Sequence, residues 1–84
     1  MRVRIFVTLK TGVLDPQGKA IHHALESLDF TGVRDVRAGK LIELEVDADI
    51  SDSDLENMCE KLLANTVIEN YAIEKLLDPV EATS

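Results

Sequence analysis

The stretch that decides the fold is Ser51–Tyr71, which reads SDSDLENMCEKLLANTVIENY and joins a complete helix to the start of a strand. Ser53 is a preferred helix N-cap, and Glu56 follows three positions later, where its carboxylate can reach back to the cap. Asn65 stands where a residue in the left-handed conformation commonly ends a helix. Residues 67–76 then alternate as a strand does. The helical spacing predicts one buried apolar face. That face consists of Leu55, Met58, Cys59, Leu62 and Leu63.

Outward from this stretch, the N-terminal segment 1–10 alternates strictly, as MRVRIFVTLK. A period of two predicts a first strand whose apolar face meets the helices. Phe6 interrupts the opposite, polar face. The sequence leaves open whether a neighbouring subunit covers Phe6 or whether it is half exposed. The apolar face carries Val3, Ile5, Val7 and Leu9.

Another helix is predicted between the first strand and the middle of the chain. Asp15 is a preferred N-cap, and Pro16 follows at the first helical position, where its missing N–H costs nothing. Gly18 lies early in this helix, where either a close backbone approach or simple tolerance near a helix end accounts for it. The helix is expected to end at about Asp29. Its spacing predicts a second buried stripe. The stripe consists of Ala20, Ile21, Ala24, Leu25 and Leu28.

The segment 33–46 is extended and keeps one parity of apolar residues across Gly39. This parity fits one long strand bent at Gly39 as well as it fits two strands joined by a tight turn. The order β-α-β-(β)-α-β predicts an α+β fold, a two-layer ferredoxin-like sandwich with both helices on one face of a mainly antiparallel sheet. Residues 1–84 are expected to form a single domain with a frayed tail at 78–84.

Composition bounds the class of protein. A chain of 84 residues buries a small core, so we expect a homodimer or higher homo-oligomer, formed through strand edges or the Phe6 face. A net charge of −7, with two phenylalanines and one tyrosine, argues against nucleic-acid binding. No apolar run of about 18 residues and no leader peptide are present, so a soluble cytoplasmic protein is expected. Cys59 lies in an apolar stripe, which predicts a packed thiol.

The sequence offers no catalytic motif, because it has no Gly-rich phosphate loop, no nucleophile elbow and no HExxH pair. The segment 37–40, RAGK, comes nearest to an anion site, but a bent sheet with solvated charges explains it more simply. His22 and His23 are neighbours on a helix and diverge by about 100°. No Cys or His follows at the spacing that a shared metal site needs. These patterns favour a domain that interacts rather than reacts, with no cofactor of its own.

Three motifs follow one another along the chain. After the VTLK that ends the first strand comes VLDPQGKA at 13–20, then DVRAGK at 35–40, then MCEKLLANTVIENY at 58–71. In order, spacing and chain length, these motifs resemble those of the PurS family, the small subunits of multi-subunit phosphoribosylformylglycinamidine synthase. The resemblance runs from Val3 to about Tyr71 and carries nothing beyond Leu77.

This resemblance implies a non-catalytic adaptor in purine biosynthesis. In the family, a synthetase subunit, PurL, uses ATP and magnesium to activate formylglycinamide ribonucleotide, and a glutaminase subunit, PurQ, releases ammonia from glutamine. The adaptor is expected to join these subunits and assist ammonia transfer, while its partners bind the ATP, magnesium and glutamine. The family motifs imply partner contacts at the first helix start, at the glycine bend and at the turn after the second helix. The residues are Asp15, Pro16, Gln17, Gly18, Arg37, Gly39, Lys40, Asn65 and Thr66.

Two other classes share the expected element order. An ACT-like small-molecule sensor usually has a glycine at the turn between first strand and first helix, a place that Gly12 could take. The Leu-Asp-Pro-Gln-Gly continuation does not favour it. An enzyme of acylphosphatase shape would need an arginine in the loop 11–18 to hold phosphate, and none stands there. The sequence therefore favours the adaptor.

Overall fold

The computed structural model describes residues 1–76 and shows an α+β fold. The predicted tail at 78–84 lies outside the described residues. Within the described range, one antiparallel sheet has three strands in the order β2-β1-β3. No helix in residues 1–76 has the length and apolar character that crossing a membrane requires. The elements are β1 (Arg2–Leu9), α1 (Pro16–Ser27), β2 (Gly39–Glu45), α2 (Asp52–Met58) with a π-helical extension (Cys59–Leu63), and β3 (Glu69–Leu76).

The core lies between the sheet and α2. Val3, Ile5 and Val7 of the central strand β1 are at most 1% exposed, as the alternating pattern predicted. From the other side, Leu55 of α2 and Cys59 of the extension are 0% exposed. Each large apolar side chain that leaves water in this way contributes roughly 1.5–3 kcal/mol. One helix and the inner face of β1 thus form the centre of the described part of the chain.

The helix α2 begins earlier than predicted. Ser51, not Ser53, is its N-cap, and the Ser51 hydroxyl accepts a hydrogen bond from the backbone N–H of Asp54 at 3.0 Å. The repeated Ser-Asp pairs in the sequence offer two capping registers of equal quality. The earlier register adds part of a turn and brings Asp52 into an ion pair with Lys75 of β3.

The turn after α2 also differs from the prediction. The backbone N–H of Ala64 donates to the Cys59 carbonyl at 3.0 Å, across five residues, and Ala64 itself is extended. Asn65 is therefore not a left-handed helix end. Its side-chain oxygen accepts from the backbone N–H of Val67 at 3.2 Å, which makes a turn, and β3 starts only at Glu69. The wide π-helical turn replaces the α-helical ending that the sequence pattern suggested.

No strand forms in residues 31–38, so the structure does not confirm a four-stranded ferredoxin-like topology. Instead this segment returns along α1. The His22 ring nitrogen Nε2 lies 2.8 Å from the carbonyl oxygen of Val33, and the backbone at Val36 passes close to Gly18. The segment thus directs hydrogen bonds to the helix and its cap rather than to a strand ladder.

Gly39 is neither a bend within a strand nor a hairpin turn. It is the first residue of β2 and pairs with Thr8 of β1. A Cβ at this position would collide with the carbonyl oxygen of Val7. The glycine therefore lets the chain enter the sheet directly beside β1.

The helix α1 starts as predicted, with Asp15 as N-cap, but its apolar stripe is not buried. Ile21 is 40% exposed and Leu28 is 66% exposed. The rest of the stripe is also exposed, apart from the half-buried Leu25, and none of its residues belongs to the core of the described chain. Three strands spaced about 4.8 Å apart span roughly 10 Å, which one helix of similar diameter already covers. We call α1 together with the return segment 28–38 the arm.

The uncovered apolar surface of the arm continues past the end of α1. Phe30, just past α1, is 55% exposed and extends the uncovered apolar surface of the arm. The isolated chain therefore presents apolar area that a single compact domain would bury.

Candidate functional site

One end of the sheet gathers the residues that the sequence pointed to. At this end β1 finishes, β2 begins opposite Thr8, and β3 begins opposite Leu9. The first turn of α1 is tied to the start of β2 there, through Asp15 and Ala38. The turn at 65–68 reaches the same end, because the Lys10 backbone N–H donates to the Ile68 carbonyl at 2.8 Å. Residues from three motifs that are distant in sequence thus share one region.

Asp15 is the centre of this region and is only 7% exposed. Its Oδ1 accepts from the backbone N–H of Gly18 at 2.9 Å, and its Oδ2 accepts from the backbone N–H of Ala38 at 2.8 Å. These hydrogen bonds hold the pKa of the carboxyl below its usual range, although burial acts in the opposite direction. The nearby Arg37 charge lowers the pKa further. An ionised carboxylate engaged in this way is a structural group and not a free general base.

Gly18 packs closely against Asp15, and Arg37 attaches the same region to β1. A Cβ on Gly18 would collide with the carbonyl oxygen of Val36 and with the Asp15 carboxylate, so the close backbone approach is the reason for this glycine. The Arg37 guanidinium nitrogen Nη2 donates to two carbonyl oxygens at the end of β1. These belong to Leu9 at 2.6 Å and to Lys10 at 3.1 Å.

The other predicted residues line the surface of this region. Pro16, Gln17, Gly39 and Lys40 are exposed and line a groove of about 430 Å³ between the helix start and the sheet. Thr66 lines a separate groove of about 300 Å³, and neighbouring Asn65 is exposed. These residues are therefore at least partly accessible to a partner.

Two residues that shape this region were not predicted from the sequence. Ala38 takes part only through its backbone N–H, which a pattern of side chains does not reveal. Glu69 lines both grooves, and its Oε1 accepts from the backbone N–H of Asn65 at 2.7 Å. The sequence signal for Glu69 is the Asn-to-Glu spacing of four residues across a turn, which lets the carboxylate cap the turn.

Two side chains near this region, Cys59 and Tyr71, have pKa values that their surroundings raise. Burial raises the pKa of the Cys59 thiol, and the charges of Glu60 and Glu56 raise it further. Cys59 is thus the packed thiol that the sequence predicted. The Tyr71 hydroxyl donates a hydrogen bond to the Glu60 carboxylate, which, together with partial burial, raises the pKa of Tyr71 to about 12. Neither group is set up as a nucleophile at neutral pH.

The outer face of the sheet carries a second accessible surface. Phe6 is 40% exposed and Leu41 is 51% exposed, and the two are paired across β1 and β2. Beside them, Arg4 forms ion pairs with Glu43 at 3.2 Å and with Glu74 at 3.6 Å. The described chain therefore has three kinds of accessible surface: the two grooves, the arm, and this exposed apolar pair with its charged neighbours, which we call the Phe6 row.

Comparison with known proteins gives a consistent result. Residues 2–76 match the family described as PurS: Phosphoribosylformylglycinamidine (FGAM) synthase. The phosphoribosylformylglycinamidine synthase subunit PurS of Bacillus subtilis is 52% identical over 75 residues, which cover 87% of this chain and 89% of that protein. The C2 crystal form of B. subtilis PurS matches with a TM-score of 0.76, covering 87% of this chain and 94% of that one. A chain in the structure of PurLQS from Thermotoga maritima matches with a TM-score of 0.78 at 33% identity, covering 89% of this chain and 95% of that one.

Proposed function

The chain belongs to the PurS family of phosphoribosylformylglycinamidine synthase subunits, and from this premise we propose that it is the small, non-catalytic subunit of that ligase complex in purine biosynthesis. It works with a PurL-type synthetase subunit and a PurQ-type glutaminase subunit. The observation that carries this function is the family match over residues 2–76, together with the similar chain in the PurLQS structure.

In this role the chain contributes surfaces rather than chemistry. The Asp15 carboxylate is occupied by backbone donors and the Cys59 thiol is buried, so neither is assigned a step. The ATP, magnesium and glutamine of the complex belong to its partners, and this chain binds none of them. Ammonia that passes between two active sites must be shielded from water, which requires a close fit between protein surfaces. We assign the chain to the joint between PurL and PurQ, where it assists this transfer in the cytoplasm.

The partner contacts centre on the end of the sheet where the three motifs meet. The accessible side chains there are Pro16, Gln17, Lys40, Asn65 and Thr66. Asp15, Gly18, Arg37 and Gly39 fix the shape of the same region. Their short contacts to backbone atoms support a surface of fixed form, which favours specific docking.

A second copy of the chain is the remaining expected partner. The exposed stripe of α1, together with two open strand edges in the described sheet, supports association. On this proposal the extended segment 33–38 pairs as a further strand in the assembly. The single domain of residues 1–84 would then reach the ferredoxin-like order expected from its sequence.

Reconstitution tests the proposed function. The chain is mixed with PurL and PurQ from the same organism, with ATP, magnesium and formylglycinamide ribonucleotide, and amidine formation is measured with glutamine or with ammonia. Glutamine-dependent activity is expected only when the chain is present, whereas ammonia-dependent activity persists with PurL alone. Equal glutamine-dependent activity without the chain would refute the adaptor role.

A further inference from the structure

Two sets of hydrogen bonds hold the base of the arm. One set joins the two ends of the arm, and the other joins the arm to β1. The Asp15 carboxylate, just before α1, accepts a hydrogen bond from the backbone N–H of Ala38, the last residue of the return segment. Arg37, at the end of the return segment, holds the carbonyl oxygens of Leu9 and Lys10, at the end of β1. Both ends of the arm are therefore tied to each other and to the central strand.

These polar contacts matter because the arm lacks the usual apolar anchor. Gly18, which has no side chain, is the one buried residue of α1. The orientation of a helix is normally fixed by the side chains that it buries, and here Ile21 and Leu28 are largely exposed. The hydrogen bonds of a nearly buried carboxylate to backbone N–H groups are charge-assisted and directional, so they can fix an orientation instead.

We propose that Asp15 and Arg37 are positioning residues, which lock the arm at one orientation to the sheet so that its surfaces meet the other subunits correctly. The inference rests on the proposed adaptor function. It gives these two residues an indirect role: they act through the backbone of their own chain, and the exposed neighbours make the contacts. Loss of the lock leaves the folded sheet intact and weakens assembly.

Asp15→Ser removes the hydrogen bond to Ala38 and keeps the helix cap, so it tests the two roles of Asp15 separately. Serine is as good an N-cap as aspartate and can still accept from the Gly18 backbone N–H. Its single short hydroxyl cannot also reach Ala38. The matched control is Ser51→Asp at the cap of α2, which makes the reverse exchange where the side chain accepts only from Asp54.

Arg37→Met provides a second, independent variant. Methionine keeps an unbranched apolar stem and removes the donors to the β1 carbonyls. The control is Arg34→Met, which removes the same charge from an exposed residue of the same segment. A change seen in Arg37→Met and absent in Arg34→Met is therefore due to the lost hydrogen bonds and not to net charge.

The first readout is hydrogen exchange of the free chain, followed by mass spectrometry. Asp15→Ser and Arg37→Met are expected to raise exchange in residues 16–38 while β1 stays protected. The second readout titrates each variant into PurL and PurQ under the glutamine-dependent assay. The concentration for half-maximal activity is expected to rise by about tenfold, with the plateau rate unchanged. Ser51→Asp and Arg34→Met are expected to match the wild-type chain in both.

The two readouts test the positioning role of Asp15 and Arg37 separately from the adaptor function on which it rests. Unchanged arm exchange in both variants, or equal loss of protection in β1, overturns the lock. An unchanged half-maximal concentration also overturns it, provided that the wild-type chain supports glutamine-dependent activity. If the wild-type chain supports none, the adaptor function fails, and the exchange comparison still decides whether Asp15 and Arg37 hold the arm.

Discussion

The two helices of the described chain carry similar amphipathic patterns but have different surroundings. Both begin at a polar N-cap that accepts a backbone N–H three residues later. In α2, Leu55 is 0% exposed, whereas in α1 Ile21 is 40% and Leu28 is 66% exposed. Periodicity shows that a helix has an apolar face, but it does not show which surface covers that face, or whether the same chain supplies it.

The width of the sheet explains the difference. Three strands leave room for about one helix on the inner face, and α2 occupies it, whereas a four-stranded sheet would have room for two. The segment 31–38, which would have to supply the extra strand, is tied to α1 and Asp15 instead. The exposed face of α1 and the absence of a fourth strand in residues 1–76 therefore have the same cause, because the segment 31–38 lies along α1 and not in the sheet.

The largest effect is expected from truncating the buried side of α2. Leu55→Ala removes a completely buried side chain and leaves a cavity, so the free energy of unfolding should fall by roughly 2–5 kcal/mol. Leu62→Ala is the matched control, because Leu62 follows in the π-helical extension and is 82% exposed. It should change stability by less than about 0.5 kcal/mol. Chemical denaturation measures both, and similar losses in the two variants would contradict the assignment of the core.

The next largest effect concerns the apolar face of α1, and it should appear in association rather than in folding. The double variant Ile21→Ala and Leu28→Ala removes two side chains that a second copy would bury, which should weaken the dimer by about 2–4 kcal/mol, at least tenfold in Kd. Alanine retains helix propensity, so α1 itself should persist. Sedimentation equilibrium measures the change.

Val67→Ala is the control for that experiment, since Val67 is 81% exposed but lies in the turn before β3 and not on α1. Its dissociation constant should stay at the wild-type value. An unchanged dissociation constant in the double variant would show that the α1 face is not where copies meet. The strand edges and the Phe6 row would then be the remaining candidates for the contact between copies.

The sequence predicted local structure well because the deciding interactions are local. The cap at Asp15 and the alternation around Ile5 each follow from neighbours within a few residues. The lock between Asp15 and Ala38 spans 23 positions and uses a backbone donor, so no side-chain pattern contains it. The motifs therefore singled out residues that the structure brings to one end of the sheet, whereas the contacts among them required the structure. The burial of α1 was predicted wrongly because it depends on the number of strands.

A smaller effect is expected at Gly18, where the arm passes closest to its own return segment. Alanine normally stabilises a helix relative to glycine by up to about 1 kcal/mol. Here the added methyl group would collide with the Val36 carbonyl oxygen and the Asp15 carboxylate, so Gly18→Ala should instead destabilise by roughly 1–3 kcal/mol. Gly32→Ala is the control, since nothing lies within 4 Å of a Cβ there. Thermal unfolding compares them, and a stabilised Gly18→Ala would show that the return segment does not pack on α1.

The smallest effect concerns the contact that ties the π-helical extension to β3. The pKa of Tyr71 is raised to about 12, chiefly by its hydrogen bond to the Glu60 carboxylate. The unfolded chain releases this proton near pH 10. The folded state holds the proton more tightly, so the contribution of Tyr71 to stability is complete below pH 10 and decreases between pH 10 and pH 12.

Because Tyr71 is the single tyrosine of the chain, the ultraviolet absorbance of tyrosinate reports this titration without interference. Glu60→Gln should move the midpoint from about 12 toward 10, since a carboxamide carries no charge to oppose ionisation. Glu56→Gln should move it less, because Glu56 acts only through its more distant charge. Circular dichroism at each pH separates titration of the folded chain from alkaline unfolding. A wild-type midpoint near 10 in the folded chain would mean that Tyr71 and Glu60 do not hold the extension, which would leave apolar packing and the Asp52–Lys75 ion pair to attach α2 to the sheet.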